Sequence, residues 1–178
     1  MAWKFVNSNL GMPPITSTTL LTATVQPRAW KLGDIQRAVD PTYGGGEFIY
    51  LTGCANTVAG LLVYYDTYTS LTSLTSTSGA LNRGHPVAVA MSANLATYGG
   101  WYQISGAAIV LKTAVKVDPA LATGTNVHLS ATAGRVMQTS IASRQVIGAR
   151  FASAVTVTST TSTAIVTLDR PVQQGRIT

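Results

Sequence analysis

Gly99-Gly100-Trp101-Tyr102-Gln103-Ile104-Ser105-Gly106-Ala107-Ala108-Ile109-Val110-Leu111-Lys112 holds two short apolar runs joined by a single glycine. Aromatic and β-branched residues bounded by glycine predict strands over Trp101 to Ser105 and Ala107 to Lys112, bent at Gly106. An upstream stretch, Phe48-Ile49-Tyr50-Leu51-Thr52-Gly53-Cys54-Ala55, repeats the order aromatic, two residues, aliphatic, hydroxyl, glycine, one residue, alanine. Glycines precede both stretches. The echo reads either as a duplicated strand-bend-strand unit or as the ordinary habit of strands that end in glycine.

The same pattern extends in both directions. Asp34 to Val39, Phe48 to Leu51, Leu61 to Asp66, Pro86 to Met91, Val146 to Phe151, Ala154 to Thr158 and Thr163 to Leu168 read as strands. Asn126 to Ala131 runs through Thr132-Ala133-Gly134 into Arg135 to Thr139 as a hairpin. Thr67 to Ser78, rich in Thr, Ser and Leu, reads as extended edge or loop. The one helical candidate is a turn at Asp118 to Leu121. Short strands punctuated by glycine predict an all-β body, a single β-sandwich or a small β-barrel. Its predicted core comprises Val39, Phe48, Leu51, Leu62, Val87, Val89, Trp101, Ile104, Ile109, Val127, Val136, Val146, Ile165 and Leu168.

Residues 1–28 read differently from the body at 29–178. Pro13-Pro14, Thr16-Ser17-Thr18-Thr19 and Pro27 favour extended backbone, with a short strand allowed between Leu20 and Val25. Ordering each residue costs about 1–2 kcal/mol of backbone entropy. The segment is therefore expected to be an extended N-terminal arm, protease-sensitive when free and removable without unfolding the body. Trp3 and Phe5 are its candidate anchors on a partner.

Charged residues make up only 10% of the 178, with twelve Lys and Arg against six Asp and Glu, a net +6. So few charges suggest that much of the surface faces other subunits. The basic residues are scattered from Lys4 to Arg176, without a run or an aromatic-interleaved stripe, so no nucleic-acid groove is expected. They suit an acidic protein surface, with Arg28, Lys31 and Arg37 as the candidate contacts. Cys54 is the only cysteine; it reads as a small buried thiol in a protein made in a reducing cytoplasm. The first residues carry no apolar core of signal-peptide length, and the longest apolar stretches, Leu61 to Tyr65 and Ala107 to Leu111, are too short for a membrane span.

Chemistry is sparse. Asp34, Asp40, Glu47, Asp66, Asp118 and Asp169 lie at no metal-ligand or paired-carboxylate spacing. His85 and His128 stand alone. No Gly-x-Ser-x-Gly elbow, phosphate loop or dinucleotide fingerprint is present. Gly44-Gly45-Gly46 leads into no helix. The expectation is a protein without catalytic residues, cofactor or metal. Tyr64, Tyr65 and Tyr68, and Trp101-Tyr102 after Tyr98-Gly99-Gly100, would be stacking platforms if exposed and keep a carbohydrate-binding module as an alternative, although core packing accounts for Trp101 and Phe48 more simply.

A family resemblance adds to this reading. Ala38-Val39-Asp40-Pro41-Thr42-Tyr43-Gly44-Gly45-Gly46-Glu47-Phe48-Ile49-Tyr50-Leu51 resembles the opening of small proteins encoded beside the major capsid protein in tailed phages. Val87 to Asn94, Gly99 to Gly106 and the ending Thr167-Leu168-Asp169-Arg170-Pro171 are similar to the same proteins. The likeness runs in patches over residues 33 to 171, omits the arm and includes no catalytic signature. It implies a capsid decoration, or cement, protein on the outer surface of the virion. Its partners would be the major capsid protein and its own copies, as a homo-oligomer, with a trimer favoured. A tail or fibre component would share the composition.

Overall fold

The computed structural model describes residues 2–7, 11–21, 30–67, 72–75, 84–113, 124–152 and 162–175. Within them the chain is all-β. One large antiparallel sheet folds over itself as a sandwich and does not close into a barrel.

The strands, in chain order, are β1 (Lys4–Phe5), β2 (Thr18–Leu20), β3 (Ile35–Asp40), β4 (Gly44–Thr52), β5 (Leu62–Tyr65), β6 (Thr72–Leu74), β7 (Val87–Ala90), β8 (Tyr98–Leu111), β9 (Asn126–Leu129), β10 (Val136–Met137), β11 (Gln145–Phe151) and β12 (Thr163–Gln173). The main path is β1-β3-β4-β8-β12-β11-β9-β10. Strands β2 and β7 also pair with β8, and β5 links β7 to β6.

The two expected strands around Gly106 are one continuous strand of 14 residues. Its first half pairs with β4, from Thr52↔Gly99 to Glu47↔Ser105, and its second half with β12, from Asp169↔Ser105 to Thr163↔Leu111. Gly99 and Gly100 pair with β2 as well, and Tyr102 and Gln103 with β7, so this part of β8 is hydrogen-bonded on both edges. Gly106 marks the hand-over. It has φ +90°, and a Cβ there would stand 2.3 Å from the carbonyl oxygen of Gly45. Only glycine tolerates both conditions without strain. The echoed stretches are thus antiparallel neighbours, with Tyr50 opposite Trp101.

Strand β12 runs on past Leu168, where Asp169-Arg170-Pro171 looked like a terminus. A bulge makes this possible. The β11–β12 register shifts between Ile147 and Ala149, Gly148 has φ +82° and Arg170 φ +41°. Proline lacks an N–H, and the bulge is a place where none is needed. The hairpin from β9 to β10 is present, with Val136 opposite Leu129. The reading of Ala154 to Thr158 as strand and of Asp118 to Leu121 as helical turn falls outside the described residues.

Three clusters form the core. Leu62, Val87, Val89, Val127, Val136, Val146, Phe151 and Leu168 belong to the first. Leu51, Tyr102 and Ile104 belong to the second, under Val63, Tyr65, Ala88 and Ala90. Phe48, Tyr50 and Trp101 belong to the third, with Ile15 and Trp30. Three expected core residues are elsewhere. Val39 is 49% exposed, because the alternation of β3 turns Ala38 and Asp40 inward instead. Ile109 and Ile165 pair with each other and are half-buried, while Ala108, Val110, Ala164 and Val166 point into the core.

The expected free arm is part of this fold wherever it is described. Strand β1 pairs with β3, and β2 with β8. Ile15 is 4% exposed, Trp3 meets the edge of Phe48 at 5.0 Å, and Phe5 packs on Trp101 at 5.0 Å. The Trp101 indole N–H donates to the Pro13 carbonyl at 3.2 Å. The body supplies apolar surface that offsets the ordering entropy of these described residues.

Gly106→Val is expected to destabilise the fold by about 2 kcal/mol or more through forced φ and backbone clash. A urea midpoint equal to that of the parent chain would contradict the role given to β8. Trp3→Ala is expected to cost about 2 kcal/mol, less than full aromatic burial because the ring is half-covered. The same denaturation curves check it.

Candidate interaction surface

Of the residues singled out in the sequence, Trp3 and Phe5 lie against the third core cluster of their own chain. They are therefore structural in the free protein. Lys31 is exposed, and its backbone N–H donates to the Asp34 carboxylate at 2.6 Å. Arg37 projects from the outer face of β3 with its side chain 79% exposed. Arg28 lies outside the described residues. Lys31 and Arg37 flank the start of β3, whereas the aromatic pair faces inward. Among the described candidates, Trp3, Phe5, Lys31 and Arg37 do not share a single exposed patch.

Asp40, not expected to matter, ties the first strand down. Its buried carboxylate accepts from the backbone N–H groups of Thr42 at 2.9 Å, Tyr43 at 3.0 Å and Ala2 at 2.5 Å. Burial opposes its ionisation, but these three donors outweigh burial and hold its pKa below the ordinary aspartate value. The sequence signal was the Asp-Pro-Thr turn that follows β3. Its bond to Ala2, a residue remote in the chain, left no trace there.

Glu47 forms the second polar feature. Arg170 donates to it at 3.0 Å and Arg37 at 3.3 Å. The hydrogen bond from Arg170, joined by that from Arg37, lowers its pKa against the opposing effect of partial burial. Arg37, Gly45, Gly46, Glu47, Ser105, Asp169 and Arg170 line an open cleft of about 430 Å³. Glycines form part of its wall because the backbone of β8 and the ring of Trp3 pass close by. A Cβ on Gly46 would stand 2.9 Å from the Ser105 carbonyl and 3.0 Å from Trp3.

The remaining reactive side chains are spread apart. His85 stacks on Tyr64 at 5.3 Å. His128 is buried in β9, and burial lowers its pKa although backbone hydrogen bonds at Asn126 and Gln138 oppose this. Tyr102 is buried; its hydroxyl accepts from Asn94 at 3.2 Å, and burial pushes its pKa up to about 12. The Cys54 thiol is half-buried beside the Thr57 hydroxyl at 2.9 Å. Among the described residues no group of His, Cys, Asp and Glu gathers in a way that would hold a metal ion. No family model matches the chain, and no curated protein or solved structure matches it either.

Three pKa shifts act on stability in one direction. Asp40 and Glu47 are held below their ordinary values, so their contribution is complete above about pH 4–4.5 and is lost as pH falls through the lower folded values. His128 is held below its ordinary value by burial, so as pH falls the unfolded chain takes up the proton before the folded one and stability declines as pH drops below about 6.5. The thermal midpoint is therefore expected to fall steadily from pH 7 to pH 3. His128→Gln should flatten the part between pH 7 and 5, and Asp40→Asn the part below pH 4.5. Unchanged slopes in both variants would refute these assignments.

Proposed function

We propose that this chain is a structural virion protein that decorates the head of a tailed phage and stabilises it by bridging neighbouring major capsid protein subunits. The resemblance of Ala38 to Leu51, Val87 to Asn94, Gly99 to Gly106 and Thr167 to Pro171 to proteins encoded beside capsid genes carries this reading. The all-β body, the 10% charge content and the net +6 support it. A shell holding packed DNA is under outward load. A bound protein that spans two subunits adds its binding free energy to what rupture must overcome. Many copies act on one shell, so moderate affinity per copy is enough. A homotrimer on the outer surface would match a local threefold of the shell.

The packing of Trp3 and Phe5 on their own chain changes how attachment is envisaged. The arm no longer supplies free anchors, so contact falls to exposed faces of the body. Scattered basic residues suit an acidic outer shell better than the packaged DNA, which would call for clustered Lys and Arg.

The protein is expected to co-sediment with purified heads of the phage that carries its gene, and heads lacking it should burst at lower temperature. Exposed ion pairs contribute only about 0–1 kcal/mol each, so moderate salt should loosen attachment slightly. Absence from purified virions would refute the proposal, and complete stripping by moderate salt would show that charge alone holds it.

A further inference from the structure

Asp40, the last residue of β3, carries a buried charge. It is 2% exposed, on the inward side of an alternating strand. Its Oδ1 accepts from the backbone N–H groups of Thr42 and Tyr43, and its Oδ2 from that of Ala2 at 2.5 Å. All three donors are amides. They stand in for water but leave the charge uncompensated, and a buried charge is ordinarily paired. Among the described residues the side-chain ion pairs both belong to Glu47, with Arg37 and Arg170. Lys4 and Arg37 belong to the other face of β3, since Lys4 stands opposite Val39 and Arg37 is two residues before it.

A cation for Asp40 can arise at the atom already in contact with it. The Ala2 nitrogen is a neutral amide only while the bond to Met1 is intact. Hydrolysis of that bond, whatever lies ahead of Met1, leaves the oxygen of water on the Met1 carboxylate and both its protons on the Ala2 nitrogen. The product is an α-ammonium, protonated below about pH 8. Charge-assisted hydrogen bonds are roughly twice as strong as neutral ones. A charge one residue earlier does less: burial opposes the ionisation of Asp40, the three backbone donors favour it, and an amino-terminal charge at Met1 adds the least. Ala2 is exposed and small, the kind of residue ahead of which cellular aminopeptidases remove methionine.

We propose that the Met1–Ala2 bond is a processing site, and that the α-ammonium released on Ala2 is the counter-ion of buried Asp40. The pair acts where the sheet is thinnest. Strand β1 has two residues and lies at the end of the main path. Anchoring Ala2 fixes the chain just ahead of Trp3, whose ring packs on Phe48, and Phe5, whose ring packs on Trp101. Cleavage would thereby tighten the fold, independently of the capsid reading.

Amino-terminal sequencing of the protein from its natural source should begin Ala2-Trp3-Lys4-Phe5. A start at Met1, a start ahead of it or a blocked amine overturns the processing site. Three forms of the full chain then test the ion pair by thermal midpoint at pH 7: one starting at Ala2, one keeping Met1, and one acetylated on Ala2. Acetylation keeps an N–H donor on the nitrogen and removes its charge. The Ala2 form should melt about 2 °C or more above the other two. The same three forms of Asp40→Asn should melt together. Equal midpoints in the parent sequence overturn the pair, and so does a difference that persists in Asp40→Asn. If Asp40→Asn does not fold, the Ala2 amine is acylated in native chain and in urea. Native reaction about tenfold slower is expected of an amine held as a paired ammonium, and equal rates overturn the pair.

Discussion

Everything in this fold is arranged around the close approach of two glycine backbones, Gly106 of β8 and Gly45 of β4. Where they meet, β8 stops pairing with β4 and starts pairing with β12. A side chain at Gly106 would push the strands apart and separate the half of the sheet that holds the aromatic cluster from the half that holds the aliphatic one. With the glycine in place, one strand of 14 residues belongs to both halves, and the three core clusters pack against a common element. Gly46 serves the same junction, since a Cβ there would meet the Ser105 carbonyl of β8 and the ring of Trp3, whereas a Cβ on Gly44 or Gly45 would meet nothing.

The junction also explains why the N-terminal residues are held. Gly46 leaves room for Trp3, Phe48 and Trp101 offer ring faces and edges, and Asp40 binds the backbone at Ala2. Aromatic contact, strand pairing and a charge-assisted hydrogen bond act on the same few residues. Each is modest alone. Together they offset the entropy of ordering these residues.

Strand existence was legible because alternation and glycine punctuation are local signals. The strands at Phe48, Leu62, Val87, Trp101, Asn126, Gln145 and Thr163 all lie where the pattern placed them, to within a few residues at their ends. What failed was judged by residue type instead of by parity. Val39, Ile109 and Ile165 are large and aliphatic, yet Ala38, Ala108 and Ala164 are the ones turned inward. Long-range pairing was not legible at all. Nothing near Trp3 reveals Phe48, and nothing near Arg170 reveals Glu47, which is 123 residues away. Arg37 was legible as an exposed cation, but its ion pair with Glu47 appears only when β3 and β4 are laid side by side.

The central place of β8 has a consequence for the order in which the chain can be completed. During synthesis β4 emerges with an edge that only β8 can fill, and β8 itself waits for β12, the last strand. The bond from Trp101 to Pro13 spans 88 residues, so even the aromatic cluster cannot close until β8 has been made. Contacts so distant in sequence slow folding, because loop entropy is lost before the contacts reward it. Until then the growing chain presents apolar strands with open edges, the surfaces on which nascent β proteins associate wrongly. The runs of Thr and Ser between its strands, polar yet β-compatible, keep such a chain hydrated while it waits.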